Sequence, residues 1–164
     1  MLPIVISSLA LAVSVYSLVF SRRSWLETYR PIVTARVSTE QGGNIAILYN
    51  LIVENTGNRP ATNIRLNVDR DILQSVLNPS CILDTAEITN CFDPKYTIPI
   101  LANERTTSTA FGKTSDGREC MWIPDSCFPI AIIYGDLDGR NYRSELILCI
   151  RDDSGFAGFH YADP

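Results

Sequence analysis

The stretch that decides the fold is residues 44–69, NIAILYNLIVENTGNRPATNIRLNVD. Asn44–Glu54 is a long and mostly apolar run, and Asn55–Pro60 (NTGNRP) is a dense cluster of turn-forming residues. Ala61–Asp69 then alternates between apolar and polar residues, which is the period of a strand with one buried face. The pattern predicts a buried strand, a turn and a half-buried strand whose inner face carries Ile64, Leu66 and Val68.

Further short strands are predicted on both sides of this stretch. Phe128–Tyr134 and Tyr142–Ile150 form the strongest pair, because the Asp138-Gly139 step between them is typical of a hairpin. Asp71–Leu77 fits either a short helix or a strand. A parallel sheet is excluded by the absence of crossover helices, so the chain is expected to be mainly β, an antiparallel β-sandwich. The remaining predicted strands are Pro31–Thr39, Ile98–Leu101 and Arg105–Phe111.

The turn region resembles a known family. Residues 53–64, VENTGNRPATNI, resemble the V-x-N-x-G-x-x-x-A-x-N-V signature of bacterial immunoglobulin-like domains of the CARDB type. Residues 101–104, LANE, resemble the L-x-p-G-E turn of those domains, with Asn103 at the place of the usual glycine. The resemblance implies an immunoglobulin-like sandwich and an adhesion, spacer or binding role. The signature itself describes a turn and carries no chemistry.

The N-terminal segment predicts a membrane anchor. Leu2–Phe20 contains no charged side chain, and a helix of that length measures about 28 Å, close to the hydrocarbon core of a bilayer. A cleaved signal peptide is the alternative, but no basic residue precedes the span and no clear cleavage site follows it. We therefore expect a transmembrane anchor over 1–21, a juxtamembrane stalk over 22–30, the sandwich over 31–151 and a C-terminal tail over 152–164.

Basic residues near the span predict its orientation. Four arginines follow it and none precedes it, so the positive-inside rule places the β-domain in the cytoplasm, with an extracytoplasmic domain as the alternative. The chain is thus expected to be a single-pass membrane protein whose flanking residues contact lipid headgroups. The predicted membrane-interface residues are Arg22, Arg23, Trp25, Tyr29 and Arg30.

The predicted anchor also carries a stripe of small residues at helical spacing. Small residues let helix backbones approach closely in lipid, and serines can form hydrogen bonds across the contact. The functional interpretation is a helix–helix interface, either with copies of this chain or with another membrane protein. The alternative is that serine and alanine are simply common in such spans. The small-residue stripe consists of Ser7, Ala10, Ser14, Ser17, Ser21 and Ser24.

Five cysteines leave the redox state open. Cys149 lies in an apolar strand and is expected to be a small core residue. The other four form two loop pairs, Cys81 with Cys91 and Cys120 with Cys127, which would close disulfides only in an extracytoplasmic domain. For a cytoplasmic domain we expect free thiols. Zinc is disfavoured because the spacings exceed those of four-thiolate sites, so no metal is expected.

The composition argues against nucleic-acid binding and against catalytic or metal sites that depend on histidine. The net charge of −4 argues against nucleic acid as a partner, and a single histidine, His160, leaves no histidine-based triad or metal cluster inside the fold. The stretch 135–139, GDLDG, lacks the further ligands of a calcium loop and is interpreted as a turn. We therefore expect no enzyme, no cofactor, and a membrane-anchored interaction or assembly module of a membrane protein complex, with a protein partner for the sandwich. The alternative is a ligand-sensing or effector subunit whose cytoplasmic sandwich controls a membrane assembly.

Overall fold

The chain divides into two compact units, residues 1–30 and 31–164. The computed structural model describes residues 2–41, 47–114 and 120–151. The predicted C-terminal tail over 152–164, with His160, therefore lies outside the described residues.

The first unit is one long helix, α1, over Leu2–Thr28. Pro3 lies in its first turn, where a missing N–H costs no hydrogen bond of the helix. The most apolar 18-residue window of this helix has a mean hydropathy of 2.1 and is entirely unburied. By length and composition the helix can cross a membrane, and an N-terminal signal sequence meets the same two criteria. The expected apolar N-terminal helix is thus confirmed, and it continues without a break into the segment predicted as a stalk.

The second unit contains two antiparallel sheets, which confirms the expectation of a mainly β protein. One sheet has the order β1-β2-β5 and the other the order β4-β3-β6-β7. The strands are β1 (Val33–Gln41), β2 (Ile47–Asn55), β3 (Ala61–Asn67), β4 (Ile98–Leu101), β5 (Arg105–Thr114), β6 (Cys127–Gly135) and β7 (Asn141–Cys149).

Short helices connect β3 to β4 within the four-stranded sheet. The ambiguous segment near residue 71 is a helix, α2 (Arg70–Val76), because the side chain of Asp69 accepts a hydrogen bond from the backbone N–H of Asp71 at 2.9 Å and caps its first turn. The helix buries Leu73 and Val76. A further short helix, α3 (Ala86–Thr89), and a 3-10 turn over Asn90–Phe92 were not foreseen, since both are too short to show a helical period.

The core lies between the inner faces of the two sheets. Ile64 and Leu66 of β3 are buried, and Val68, directly after the strand, packs partly buried beside them, as the alternation predicted. One end of the core is aromatic: the ring of Trp122 stacks on Phe111 at a centroid distance of 4.6 Å and on Phe128 at 5.8 Å. Gly112 allows this packing, because a Cβ there would lie 2.8 Å from the indole nitrogen of Trp122.

The cysteines differ from both expectations, which were free thiols in a cytoplasmic domain and two loop pairs in an extracytoplasmic one. Antiparallel register places Cys127 of β6 directly opposite Cys149 of β7, with their Cα atoms 4.1 Å apart, and the two form a disulfide. The expectation that Cys149 is a core residue is therefore wrong: Leu148 points into the core, and Cys149 belongs to the opposite face. Cys81, Cys91 and Cys120 are free thiols.

Candidate binding cleft and apolar N-terminal helix

A cleft of about 350 Å³ opens between the two sheets on the side where β4 and β5 form their edges. Its floor is apolar and belongs to the core: Leu51 and Val53 come from β2, and Ile64 and Leu66 come from β3. Residues from α3, the 3-10 turn, the loop before β4 and the two edge strands form the walls. These wall residues are Glu87, Asn90, Cys91, Tyr96, Thr97, Ile98, Thr107, Ser108 and Thr109.

Two threonines explain why the sheets leave this gap. Thr107 lies opposite Val53 and Thr109 opposite Leu51, and residues opposite each other in a sheet share a face. Both threonines therefore stand on the inner face of β5, where larger apolar residues normally fill a two-sheet core. Thr109 is exposed and Thr107 is half-buried, so the space beside them stays open.

The walls of the cleft carry almost no charged side chains. Glu87 is the only Asp, Glu, Lys, Arg or His among the described lining residues. Burial raises the pKa of the Cys91 thiol to about 12, and its Sγ donates to the carbonyl of Ile88 at 3.4 Å. A protonated thiol is a poor nucleophile, and a wall without a cation is poorly suited to phosphate. The arrangement is suited to an apolar group with hydroxyl contacts at its edge.

Asn55 is the most highly bonded polar side chain at the turn that decided the fold. It is fully buried, and its Oδ1 accepts from the backbone N–H of Ile32 at 3.3 Å and of Gly57 at 3.0 Å. Its Nδ2 donates to the carbonyls of Arg59 at 2.7 Å and Leu101 at 3.1 Å. One side chain thus ties together the chain entering β1, the turn and the end of β4. Its role is structural.

The hairpin between β6 and β7 is built around a buried carboxylate, Asp136. Its Oδ1 accepts from the backbone N–H groups of Asp138 and Arg140 at 2.8 and 2.9 Å, and its Oδ2 accepts from the Tyr142 hydroxyl at 3.0 Å. Burial alone would raise the pKa of Asp136, but these hydrogen bonds and the nearby Arg59 guanidinium outweigh it and lower the pKa. Within the described ranges, no group of three His, Cys, Asp or Glu residues could hold a metal ion.

All residues of the small-residue stripe lie on α1 and are exposed. At 100° per residue they occupy an arc of about 100° on one side of the helix. The hydroxyl of Ser7 donates to the carbonyl of Pro3, and that of Ser14 donates to Ala10, both at 2.9 Å. Because these donors are satisfied within the helix, neither serine presents an unpaired donor to an apolar neighbour.

The predicted interface residues occupy the C-terminal end of α1 and the residues directly after it. The rings of Trp25 and Tyr29 lie 5.1 Å apart, and both side chains are exposed. Arg22, Arg23 and Arg30 are also exposed. The sequence pattern therefore predicted these features of α1, but it did not predict the cleft between the sheets. The only signal for the cleft was threonine at inward positions of the stretch 105–111, RTTSTAF.

These features define a class of protein in which one long apolar helix precedes a domain of two antiparallel sheets. The chain belongs to the family described as a domain of unknown function (DUF8453), whose model matches residues 1–152. A search of the curated proteins found no match.

Proposed function

We propose that this chain is a membrane-anchored, non-enzymatic interaction module that takes part in a membrane assembly. The observation that carries the proposal is α1, an apolar helix long enough to cross a bilayer. The family match covers the helix and the two-sheet domain together, which supports a helix that stays with the domain. A charge-poor cleft and fully bonded Asp136 and Asn55 support binding over catalysis.

The proposed fold class within this scheme is an immunoglobulin-like sandwich. Support comes from the two antiparallel sheets and from the resemblance of residues 53–64 to CARDB-type domains. Asn55 and Gly57 of that motif fix the turn through the hydrogen bond between them. Domains of that type act as adhesion, spacer or binding modules, which agrees with an interaction role.

The proposed location of the β-domain is the cytoplasm. Arg22, Arg23 and Arg30 follow the span, and three thiols of the domain are free. The disulfide between Cys127 and Cys149 argues for an oxidising compartment. We give more weight to the arginines, because orientation responds directly to them, whereas the exposed side chain of Cys127 leaves this disulfide accessible to reductants.

Labelling distinguishes the two orientations. Intact cells are treated with a reductant and then with a membrane-impermeant thiol reagent that reaches the exposed Cys127. No labelling in intact cells, with full labelling after permeabilisation, is expected for a cytoplasmic domain. Labelling of intact cells would place the domain outside and contradict the proposal on orientation.

Assembly through the small-residue stripe is the part of the proposal that mutation tests best. Ser14→Leu and Ser17→Leu enlarge the stripe and are expected to weaken association of the full chain in detergent, measured by native mass spectrometry. Ala12→Leu is the matched control, because Ala12 lies on the opposite side of α1 and gains a similar volume. Equal association of all three variants and the original chain would exclude the stripe as an interface.

The cleft favours a second candidate, a ligand-sensing subunit whose domain controls a membrane assembly. The apolar floor and near-neutral wall fit an apolar ligand and disfavour a nucleotide. Thermal unfolding of the full chain is compared with and without a panel of small aromatic and aliphatic alcohols, with nucleotides as the contrasting set. Stabilisation by an alcohol that Thr107→Phe abolishes is expected, and stabilisation by nucleotides alone would contradict this ligand class.

A further inference from the structure

The edge of β5 is the least protected sheet edge in the described part of the chain. Of the four edge strands, β4 is only four residues long and contains Pro99, and β7 carries Arg143 and Glu145. β1 carries Arg36 and Glu40 and lies beside β7. In β5, by contrast, five consecutive residues from 106 to 110 (TTSTA) contain neither a charge nor a proline. Natural sheets normally protect such an edge.

The backbone of this segment is bonded on one side only. β5 pairs with β2 along its length, and no other described strand pairs with it. Thr106, Ser108 and Ala110 are exposed on the outer face, and Thr109 is exposed on the inner face. Along 106–110 a second strand can therefore add to this edge. At Lys113 the edge is already occupied, because the carbonyl of that residue accepts a hydrogen bond from the backbone N–H of Met121.

We propose that β5 pairs antiparallel with β5 of a second copy of this chain, joining two three-stranded sheets into one six-stranded sheet. The proposal deepens the proposed assembly role, because it names a contact between copies outside the helix. A two-fold axis makes such a contact self-complementary and closed. The membrane anchor confines both copies to one bilayer, which raises the effective concentration for a contact this small.

Charge and face together select the register. Residues opposite each other must share a face, so the two-fold axis passes through a residue of β5. An axis at Ser108 places Thr107 opposite Thr109 of the second copy, and cross-strand threonine pairs stabilise sheets. An axis at Thr109 would bring Arg105 against Lys113 of the other copy, and like charges in that position are destabilising. An axis at Ala110 would lay the second strand along Lys113, whose carbonyl already accepts a hydrogen bond from the backbone N–H of Met121. Of the registers without either conflict, the axis at Ser108 gives the longest overlap, residues 105–111.

Cysteine cross-linking of the full chain in detergent tests this register. Ser108→Cys places two thiols opposite each other across the axis, at Cβ separations of about 5 Å. Thr106→Cys places its two thiols about 13 Å apart, so this variant is the matched control. Co-expression of the Thr106→Cys chain with the Ala110→Cys chain restores an opposed pair, because residues 106 and 110 face each other in this register.

The expected result under mild oxidation is about tenfold more cross-linked dimer for Ser108→Cys than for Thr106→Cys alone, since thiols so far apart cannot be bridged. The co-expressed pair of chains should give about half as much cross-linked dimer as Ser108→Cys, because random pairing combines the two variants in only about half of the dimers. The original chain, which keeps its three free thiols, gives the background.

Two outcomes would overturn the inference, and native mass spectrometry separates them. If the original chain associates but neither Ser108→Cys nor the co-expressed pair cross-links, pairing through β5 is wrong and assembly through the helix stands. If the original chain is also monomeric, the assembly role fails as well. Equal cross-linking of Thr106→Cys alone would likewise contradict the register.

Discussion

Replacement of Asn55 by alanine tests whether one buried amide holds the turn between β2 and β3. The change removes four hydrogen bonds, to Ile32, Gly57, Arg59 and Leu101, at a position with no solvent exposure. At about 1 kcal/mol for each bond, the free energy of unfolding is expected to fall by about 4 kcal/mol. A loss of this size is a large fraction of the stability of an ordinary domain.

The assay is urea unfolding of the full chain in detergent, followed by tryptophan fluorescence. Trp122 is fully buried and reports on the domain, whereas Trp25 is half exposed on α1 and contributes a nearly constant signal. Asn67→Ala is the matched control, because Asn67 is exposed on β3, and its loss should change the unfolding free energy by less than about 0.5 kcal/mol.

Asn55→Asp separates the two halves of the network. It keeps an acceptor for the N–H groups of Ile32 and Gly57 but turns a charged oxygen towards the carbonyls of Arg59 and Leu101. It should therefore destabilise the domain at least as much as alanine does at neutral pH. If Asn55→Ala lowers stability by less than about 1 kcal/mol, the amide does not hold the turn and the reasoning is refuted.

Three further predictions concern β5 and the β6–β7 hairpin. Gly112→Ala should destabilise the domain by about 2 kcal/mol or more, because Gly112 has φ +116° and an added Cβ would meet Trp122. Gly139→Ala should destabilise it less, because Gly139 has φ +81° but an added Cβ there would lie in open space. Urea unfolding of the two variants compares these free energies. Asp136 has a lowered folded-state pKa, so its stabilising contribution is present above about pH 4, the unfolded value, and is lost as the pH falls through the folded pKa. Asp136→Asn should remove that part of the acid dependence, which unfolding at pH 6 and pH 3 would show. Thiol titration of the denatured chain, after purification in air without reductant, should count three reactive thiols before reduction and five after it. Five thiols before reduction would contradict the disulfide.

The local sequence pattern was sufficient to predict most of the strands. The alternation of Ala61–Asp69 and the Asp138-Gly139 turn reflect contacts between neighbours in sequence, and the structure places β3 and the β6–β7 hairpin there. The helix α1 was equally readable, because a span without charge is a property of composition alone.

The disulfide and the cleft could not be predicted from local sequence pattern. Cys127 and Cys149 are 22 positions apart, and they meet only because the hairpin register places them opposite each other. Loop spacing therefore pointed to the wrong pairs. The cleft arises where β4 and β5, from different sheets, lie on the same side of the core, and sequence pattern does not specify that arrangement. Thr107 and Thr109 were informative only after their inward position was known.

The measurement that tests the central claim most directly is the intact mass of the chain recovered from alkaline-washed membranes. A retained anchor predicts that the chain stays with the membrane at its full mass of 18.3 kDa. Leu11→Arg combined with Val15→Arg should release it, since each charge at the centre of a span costs about 3 kcal/mol. Recovery of a shorter chain in the wash, lacking α1, would show that the helix is a cleaved signal sequence and would contradict the account.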